Sequence, residues 1–241
     1  MKSYKQFGLY FILLLLSCKA KFTPVKQEQR LYKVETIVQN DSVSKLALYL
    51  IPYRDSLAKK MNAIIGEAQG DFIKEKPGGS LGNLVVDALM DKCNNMLLSA
   101  QTPAPFPKID GAICNYGGLR INQISKGKIN IGKIYELLPF DNELVIVEIK
   151  GRILKQWFAW INTSEGWPIS QSLNNQAPLN TYADETVYYI ATNDYVANGG
   201  DKCDFLIPCK KIQTGITVRD VVIAYIQKSG IIAPDNTKRK F

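Results

Sequence analysis

The chain has 241 residues, 46% hydrophobic and 22% charged, with a net charge of +8 and no histidine anywhere. That length and balance suit one or two globular domains and exclude a disordered, collagen-like or multi-span membrane protein. The missing imidazole excludes Ser-His-Asp and Cys-His catalysis and every histidine-ligated zinc or iron site, leaving only hard-cation sites built from carboxylates. The basic surplus is dispersed: Lys2 and Lys5 sit at the front, and Lys238, Arg239 and Lys240 crowd the end. Neither end interleaves aromatics with arginines, so the charge reads as solvated surface and no nucleic-acid partner is expected.

Lys2 and Lys5 precede an apolar run over residues 7–16 that ends in Leu15-Leu16-Ser17-Cys18. A basic start and a short greasy stretch read as a secretory signal, since a spanning helix needs ~20 apolar residues; an uncleaved anchor is the alternative. The small residue before the cysteine resembles the lipobox of bacterial lipoproteins, which implies lipidation at Cys18. Residues 1–17 are then the signal peptide and 18–30 a polar tether. A folded domain occupies 31–230, with a basic tail over 231–241. The expected location is a membrane-anchored exported protein facing the periplasm. The remaining cysteines are Cys93, Cys114, Cys203 and Cys209. An even number permits disulfides, and Cys203 with Cys209 would close a short loop, but the sequence does not settle the pairing. Cys93 falls on an apolar helix face and reads as a small buried hydrophobe.

A strand is expected over 31–38, followed by a helix capped by Asp41 or Ser42. Val43, Leu46, Leu50, Tyr53, Leu57, Met61 and Ile64 recur at helical spacing, with Pro52 expected to kink or break the helix. A short strand follows over 67–73. Ser80 opens a second helix with Leu81, Leu84, Val85, Ala88, Leu89 and Met96 on one face. Three prolines make 101–108 a loop. Further along come a buried strand over 109–114, a short helix over 133–137 and a strand over 143–149. A helix from Gly151 through Ile161, an irregular stretch over 164–185 and a strand over 186–193 follow. Thr217 caps a last helix, with Asp220 completing a capping box. Helices and strands interleave without a regular β-α repeat, so the fold class is α+β, a mixed α/β sheet.

Three segments set polar or aromatic residues in turns after strands or short helices, where sites tend to lie. They are Asn115-Tyr116-Gly117-Gly118-Leu119-Arg120, Leu137-Leu138-Pro139-Phe140-Asp141-Asn142, and the run from Asn193 to Asp201 with its Asn-Gly-Gly turn. Together with Gly82-Asn83-Leu84, in this order, they resemble the C-terminal domain of the 5'-nucleotidase family, over residues 31–228. The resemblance implies that Phe140 and Tyr195 hold a nucleobase between their faces and that Asp201 accepts hydrogen bonds from the ribose hydroxyls. It implies that Arg120 meets the phosphate end or the ribose, that Asn115 orients the nucleoside, and that Gly117 and Gly118 let backbone approach the ligand. Two departures stand out. Tyr116 replaces a glycine common in the family, so its loop is expected to sit differently or reach toward the base. The stretch before the second helix holds Lys74 and Lys76 where the family has an arginine, and a lysine lacks the bidentate fork.

Full-length members of that family carry a metallophosphoesterase domain whose histidines and aspartates hold two metals. The resemblance therefore implies the nucleotide-recognition half of a split 5'-nucleotidase. No cofactor is expected in this chain, no hydrolysis by it alone, and two divalent metals in a separate metallophosphoesterase partner. The alternatives are a non-catalytic nucleotide- or nucleoside-binding lipoprotein and a degenerate structural domain.

Overall fold

The computed structural model describes residues 45–98, 106–173 and 181–239. The expected strand over 31–38, the helix cap at Asp41 or Ser42, the signal segment and Cys18 lie outside these. All but the first two described residues belong to one compact unit, Ala47–Phe241. Among the described residues no helix is long and apolar enough to cross a membrane.

Helix α1 (Lys45–Met61) runs through Pro52 without interruption. It ends at a turn in which Asn62 N donates to Ala58 O, and Ile64, expected to continue it, instead opens strand β1 (Ile64–Ala68). The apolar stripe of α1 lies open, with Leu50, Tyr53 and Leu57 exposed, as are Leu48 and Tyr49. The strand expected over 67–73 divides around Gly70 into β1 and β2 (Phe72–Ile73). Helix α2 (Ser80–Leu98) buries Leu81, Leu84, Val85, Ala88 and Leu89, while Met96 is half-buried.

Strand β3 is only Gly111–Ala112, shorter than the expected 109–114. An ideal Cβ on Gly111 would lie 2.3 Å from the Leu173 side chain, so this strand packs where only glycine fits. Strands β4 (Gln123–Ile124) and β5 (Gly127–Asn130) follow, then helix α3 (Ile131–Leu137), which starts earlier than its apolar pattern suggests. Asn130 caps it, its side chain accepting from Lys133 N at 2.8 Å, which is why the helix starts there. Strand β6 (Glu143–Lys150) and helix α4 (Gly151–Thr163) agree with the sequence reading, with Trp157 and Phe158 of α4 fully buried. Strand β7 (Val187–Asn193), the one-turn helix α5 (Asp194–Ala197), strand β8 (Lys210–Thr217), helix α6 (Val218–Ser229) and strand β9 (Ile231–Ile232) complete the described fold. Thr217 Oγ1 caps α6 by accepting from Asp220 N at 3.0 Å.

The sheets are mixed, as the fold class requires. The central one has the order β3-β7-β6-β8, and two smaller ones run β5-β1-β9 and β2-β4. In the central sheet β3 pairs parallel with β7, and β6 pairs antiparallel with both β7 and β8. One apolar core joins α2, α4 and α6 to this sheet. The reading of the terminal charges as solvated surface fails for Arg239, while Lys238 is exposed. Ile231 and Ile232 pair parallel with Glu67 and Ala68, and Arg239 is buried at 3% exposure. No disulfide forms among the described residues either: Cys93, Cys114, Cys203 and Cys209 are free thiols, Cys93 and Cys203 packed as core residues.

Candidate functional site

Topology brings the three polar segments together. Because β3 and β7 are parallel neighbours, the residues that follow them, Cys114–Asn115 and Asn193–Asp194, emerge at the same edge. Because β6 is antiparallel to β7, with Leu144 opposite Asn193, the start of β6 and the preceding Phe140–Asn142 turn reach that edge too. Segments far apart along the chain meet through this strand pairing, and the edge of the sheet becomes the floor of a site.

Asp201 is the hub. Its Oδ2 accepts from Asn115 Nδ2 at 2.6 Å and its Oδ1 from the Tyr195 hydroxyl at 3.1 Å. Trp160 Nε1 holds its carbonyl at 3.0 Å. The turn that presents it is tight: Gly199 has φ +96°, and Asp201 and Lys202 adopt φ +51° and +64°. An added Cβ on Gly200 would meet the Tyr195 ring at 2.5 Å, so glycine there lets the ring lie against the turn. Asn115 is itself held from behind, its Oδ1 accepting from Asn193 Nδ2 at 3.0 Å, while Asn193 caps α5 by accepting from Val196 N at 2.8 Å. Asp194 Oδ1 accepts from Tyr195 N at 2.9 Å and from Glu143 N at 3.1 Å, tying the turn to the start of β6.

Between these parts lies an open cleft of about 340 Å³. Asn115, Gly117, Gly118, Arg120, Phe140, Tyr195 and Asp201 all line it, together with Asn142, which the sequence reading did not single out. Its signal was available, a polar side chain two residues after Phe140 and on the same turn. Phe140 and Tyr195 leave about half their surface free, at 49% and 47% exposure. The Arg120 guanidinium carbon stands 5.7 Å from the centroid of the Phe140 ring. An added Cβ on Gly117 would lie 3.1 Å from Asn115 Nδ2, so this glycine makes room for the Asn115–Asp201 pair as well as opening the cleft wall.

Tyr116 does not reach toward the cleft. Its ring is buried, and its hydroxyl donates to Glu75 O and accepts from Gly78 N at 3.1 Å, pinning the loop before α2. Lys74 points back across that loop, donating to Leu119 O at 2.7 Å. Burial, then the positive charges of Lys76 and Arg120, hold its ammonium below the usual lysine range. Arg219 of α6 is a further residue missed in the sequence. It is buried, its Nη1 donates to Leu138 O at 3.2 Å and Pro139 O at 3.3 Å, and it pairs with Asp141. Its guanidinium lies 4.1 Å from the Tyr135 ring centroid. It thereby clasps the turn that carries Phe140.

Two exposed aromatic faces, a pre-held carboxylate and an arginine stand together around one cleft, offering stacking surface, hydrogen-bond acceptors and a positive charge side by side. Residues 64–178 match the family model described as 5'-nucleotidase, C-terminal domain. A 5'-nucleotidase of Diplobatis ommata is 25% identical over 188 residues, covering 64% of this chain and 32% of the relative. A probable 5'-nucleotidase of Treponema pallidum is 49% identical over 49 residues, 20% of this chain and 8% of the relative. Among solved structures, the 5'-nucleotidase precursor of Thermus thermophilus superposes with a TM-score of 0.63 at 24% identity, covering 80% of this chain and 42% of that one. The Haemophilus influenzae NAD nucleotidase superposes at 0.58 with 16% identity, covering 83% and 41%. These likenesses establish the fold. The chain spans about a third of the length of the Diplobatis relative.

The donor set does not fit a metal pair. The chain has no histidine, and among the described residues no group of three or more Asp, Glu or Cys could hold an ion.

Proposed function

We propose that this chain is the nucleotide-recognition half of a split 5'-nucleotidase, with a separate metallophosphoesterase chain supplying two divalent metals and the attack on phosphorus. The observation that carries this reading is the Asn115–Asp201–Tyr195 lock, built beside the exposed Phe140 face. The base stacks between Phe140 and Tyr195, each stack contributing ~1–3 kcal/mol and accepting any base, because every base has a π face. An ionised carboxylate offers about four acceptor positions. Asn115 and Tyr195 occupy two, which leaves Asp201 free to receive the ribose hydroxyls. Arg120 takes the phosphate end as a charge-assisted partner, and Asn142 offers an amide to the base edge. Asn115 acts through Asp201, because its amide is engaged with Asp201 and Asn193.

Lipidation at Cys18, and with it a location on a bacterial membrane facing the periplasm, belongs to this reading. Palmitate labelling that survives in the parent and disappears in Cys18→Ala supports it.

The test is calorimetry with AMP, UMP and adenosine, followed by a hydrolysis assay with a metallophosphoesterase chain that lacks its own C-terminal domain. Metal-dependent release of phosphate only from the mixture supports the split enzyme. Tight nucleoside binding that never leads to hydrolysis with a proven partner supports a stand-alone binding lipoprotein instead. Ligand binding indifferent to Phe140→Ala and Tyr195→Ala would sink both readings.

A further inference from the structure

The nucleotide cleft does not end at Asp201. Gly117 and Asp201 also line a second depression, of about 420 Å³, whose other walls include Lys76, Trp160, Trp167 and Lys202. The left-handed backbone at Asp201 and Lys202 shapes this divide. It holds the carboxylate on the ridge between the two depressions and sets the next side chain, Lys202, 6.0 Å from the Trp160 ring centroid. Left-handed non-glycine residues are strained and persist where surrounding contacts over-determine them. Here those contacts come from both sides, the Tyr195 hydroxyl and Asn115 amide from the first depression and Trp160 Nε1 from the second.

The charges around the second depression differ in how they are held. Asp201 is fixed by Asn115 and Tyr195 with acceptor positions left for the ribose, whereas Lys76 meets Glu165 in an exposed pair at 3.4 Å and lies 5.8 Å from the Tyr116 ring centroid, and Lys202 rests over an indole face. Exposed ion pairs contribute little and exchange readily for a better anion. Two ammonium groups on the walls of one depression, beside the Trp160 indole, suit a singly charged phosphodiester followed by a sugar or base.

We propose that this second depression receives a phosphodiester on the 3' oxygen of the bound ribonucleoside, so that the full site accommodates a 3'-linked dinucleotide. The proposal rests on the reading that the base lies between Phe140 and Tyr195 and the ribose on Asp201. With one ribose hydroxyl on that carboxylate, a substituent on the adjacent oxygen passes over the Asp201 ridge. Lys76 and Lys202 meet the phosphate, and the half-buried Trp160 gives the next nucleoside an aromatic surface.

The experiment is calorimetry of the full chain with three probes: adenosine, adenosine 3'-methylphosphate and adenosine 5'-methylphosphate, the last directing its ester toward Arg120. The 3' ester is expected to bind roughly tenfold more tightly than adenosine at low salt, as two charge-assisted contacts allow. The Lys76→Met/Lys202→Met double variant is expected to remove that gain, leaving the affinities for adenosine and the 5' ester unchanged. A 3' ester that binds no better than adenosine overturns the proposal while leaving the base cleft intact. So does a gain that survives in the double variant. Failure of all three probes to bind overturns the reading of the base cleft as well.

Discussion

Tyr195 combines two duties that a single substitution can separate. Its ring offers a stacking face and its hydroxyl holds Asp201 Oδ1 at 3.1 Å. A hydrogen bond to a charged group contributes ~1.5–3 kcal/mol, so Tyr195→Phe is expected to weaken adenosine binding by roughly tenfold. It should leave 2',3'-dideoxyadenosine, which has no hydroxyl for Asp201, nearly unaffected. Tyr195→Ala removes the ring and weakens both, and calorimetry with the two nucleosides reads the difference directly. Equal losses for both ligands in Tyr195→Phe would show that the hydroxyl does not act through the carboxylate. The thiols answer a separate question at this scale. Burial pushes Cys93, Cys114 and Cys203 up to about 12. Only roughly one in ten thousand of each is then thiolate at pH 8, and the thiolate is the reactive form. Iodoacetamide at pH 8 is therefore expected to leave all three unlabelled in the native protein and to label them in guanidinium, as mass spectrometry would record. Cys114 lines a small cavity that shares Asn115, Gly118, Phe140 and Asn142 with the cleft, so protection there also reports that the site is folded.

At the scale of elements, legibility followed how much of the structural decision is local. Helices α2, α4 and α6 could be read because their apolar faces repeat at helical spacing and their starts carry local signals, as Thr217 does. Strand β8 could not, because Lys210-Lys211-Ile212-Gln213-Thr214-Gly215-Ile216-Thr217 has two apolar residues and lies at the sheet edge. Its pairing with β6, not its own pattern, makes it a strand. The stripe of α1 shows the limit of such signals: helical spacing establishes the helix, but nothing local says whether a face is covered. In the site, the residues after strand ends were readable, since polar side chains beside glycines mark turns. Tyr116 and Arg219 were not, since the direction of each side chain depends on packing across the fold. Arg219 repays a direct test. Arg219→Met keeps the buried aliphatic stem and loses the bonds to Leu138 O, Pro139 O and Asp141 that fix the Phe140 turn. It is expected to lower nucleoside affinity roughly tenfold in the parent and to add nothing in a Phe140→Ala background. That non-additivity, measured as a double-mutant cycle, separates positioning of Phe140 from a general loss of stability.

For the whole molecule, a net charge of +8 says where no single charge lies. Arg239, counted among solvated tail charges, is instead the centre of a strap that closes over α2. Its Nη1 and Nη2 meet Asp87 at 2.6 and 2.7 Å, and Nη2 meets Asp235 at 2.7 Å. Asn83, inside the Gly-Asn-Leu motif, donates to Asp235 O at 2.9 Å and Thr237 O at 3.0 Å, so that asparagine anchors the strap from the helix side. The same helix start packs against Tyr116, whose ring approaches an ideal Cβ on Gly82 to 3.7 Å, linking the strap to the loop before Arg120. Removing one member of a buried ion pair costs ~3–5 kcal/mol. Asp87 and Asp235 keep part of their solvent, at 33% and 40% side-chain exposure, so Arg239→Met belongs at the lower end. A loss of ~3 kcal/mol at pH 7 is expected from urea unfolding. The pH dependence has a definite sign. Burial raises the Asp235 carboxyl, but hydrogen bonds from Thr237 and Arg239 outweigh it and leave the group below its ordinary 3.8. A carboxyl depressed on folding stabilises above its unfolded value and loses that contribution as the pH falls through the folded one. The gap between parent and Arg239→Met should therefore be widest near neutrality and narrow below pH ~3.8 as Asp235 takes up its proton. A gap that stays constant between pH ~7 and pH ~3 would show that the strap's stability does not come from the ionised Asp235 carboxylate.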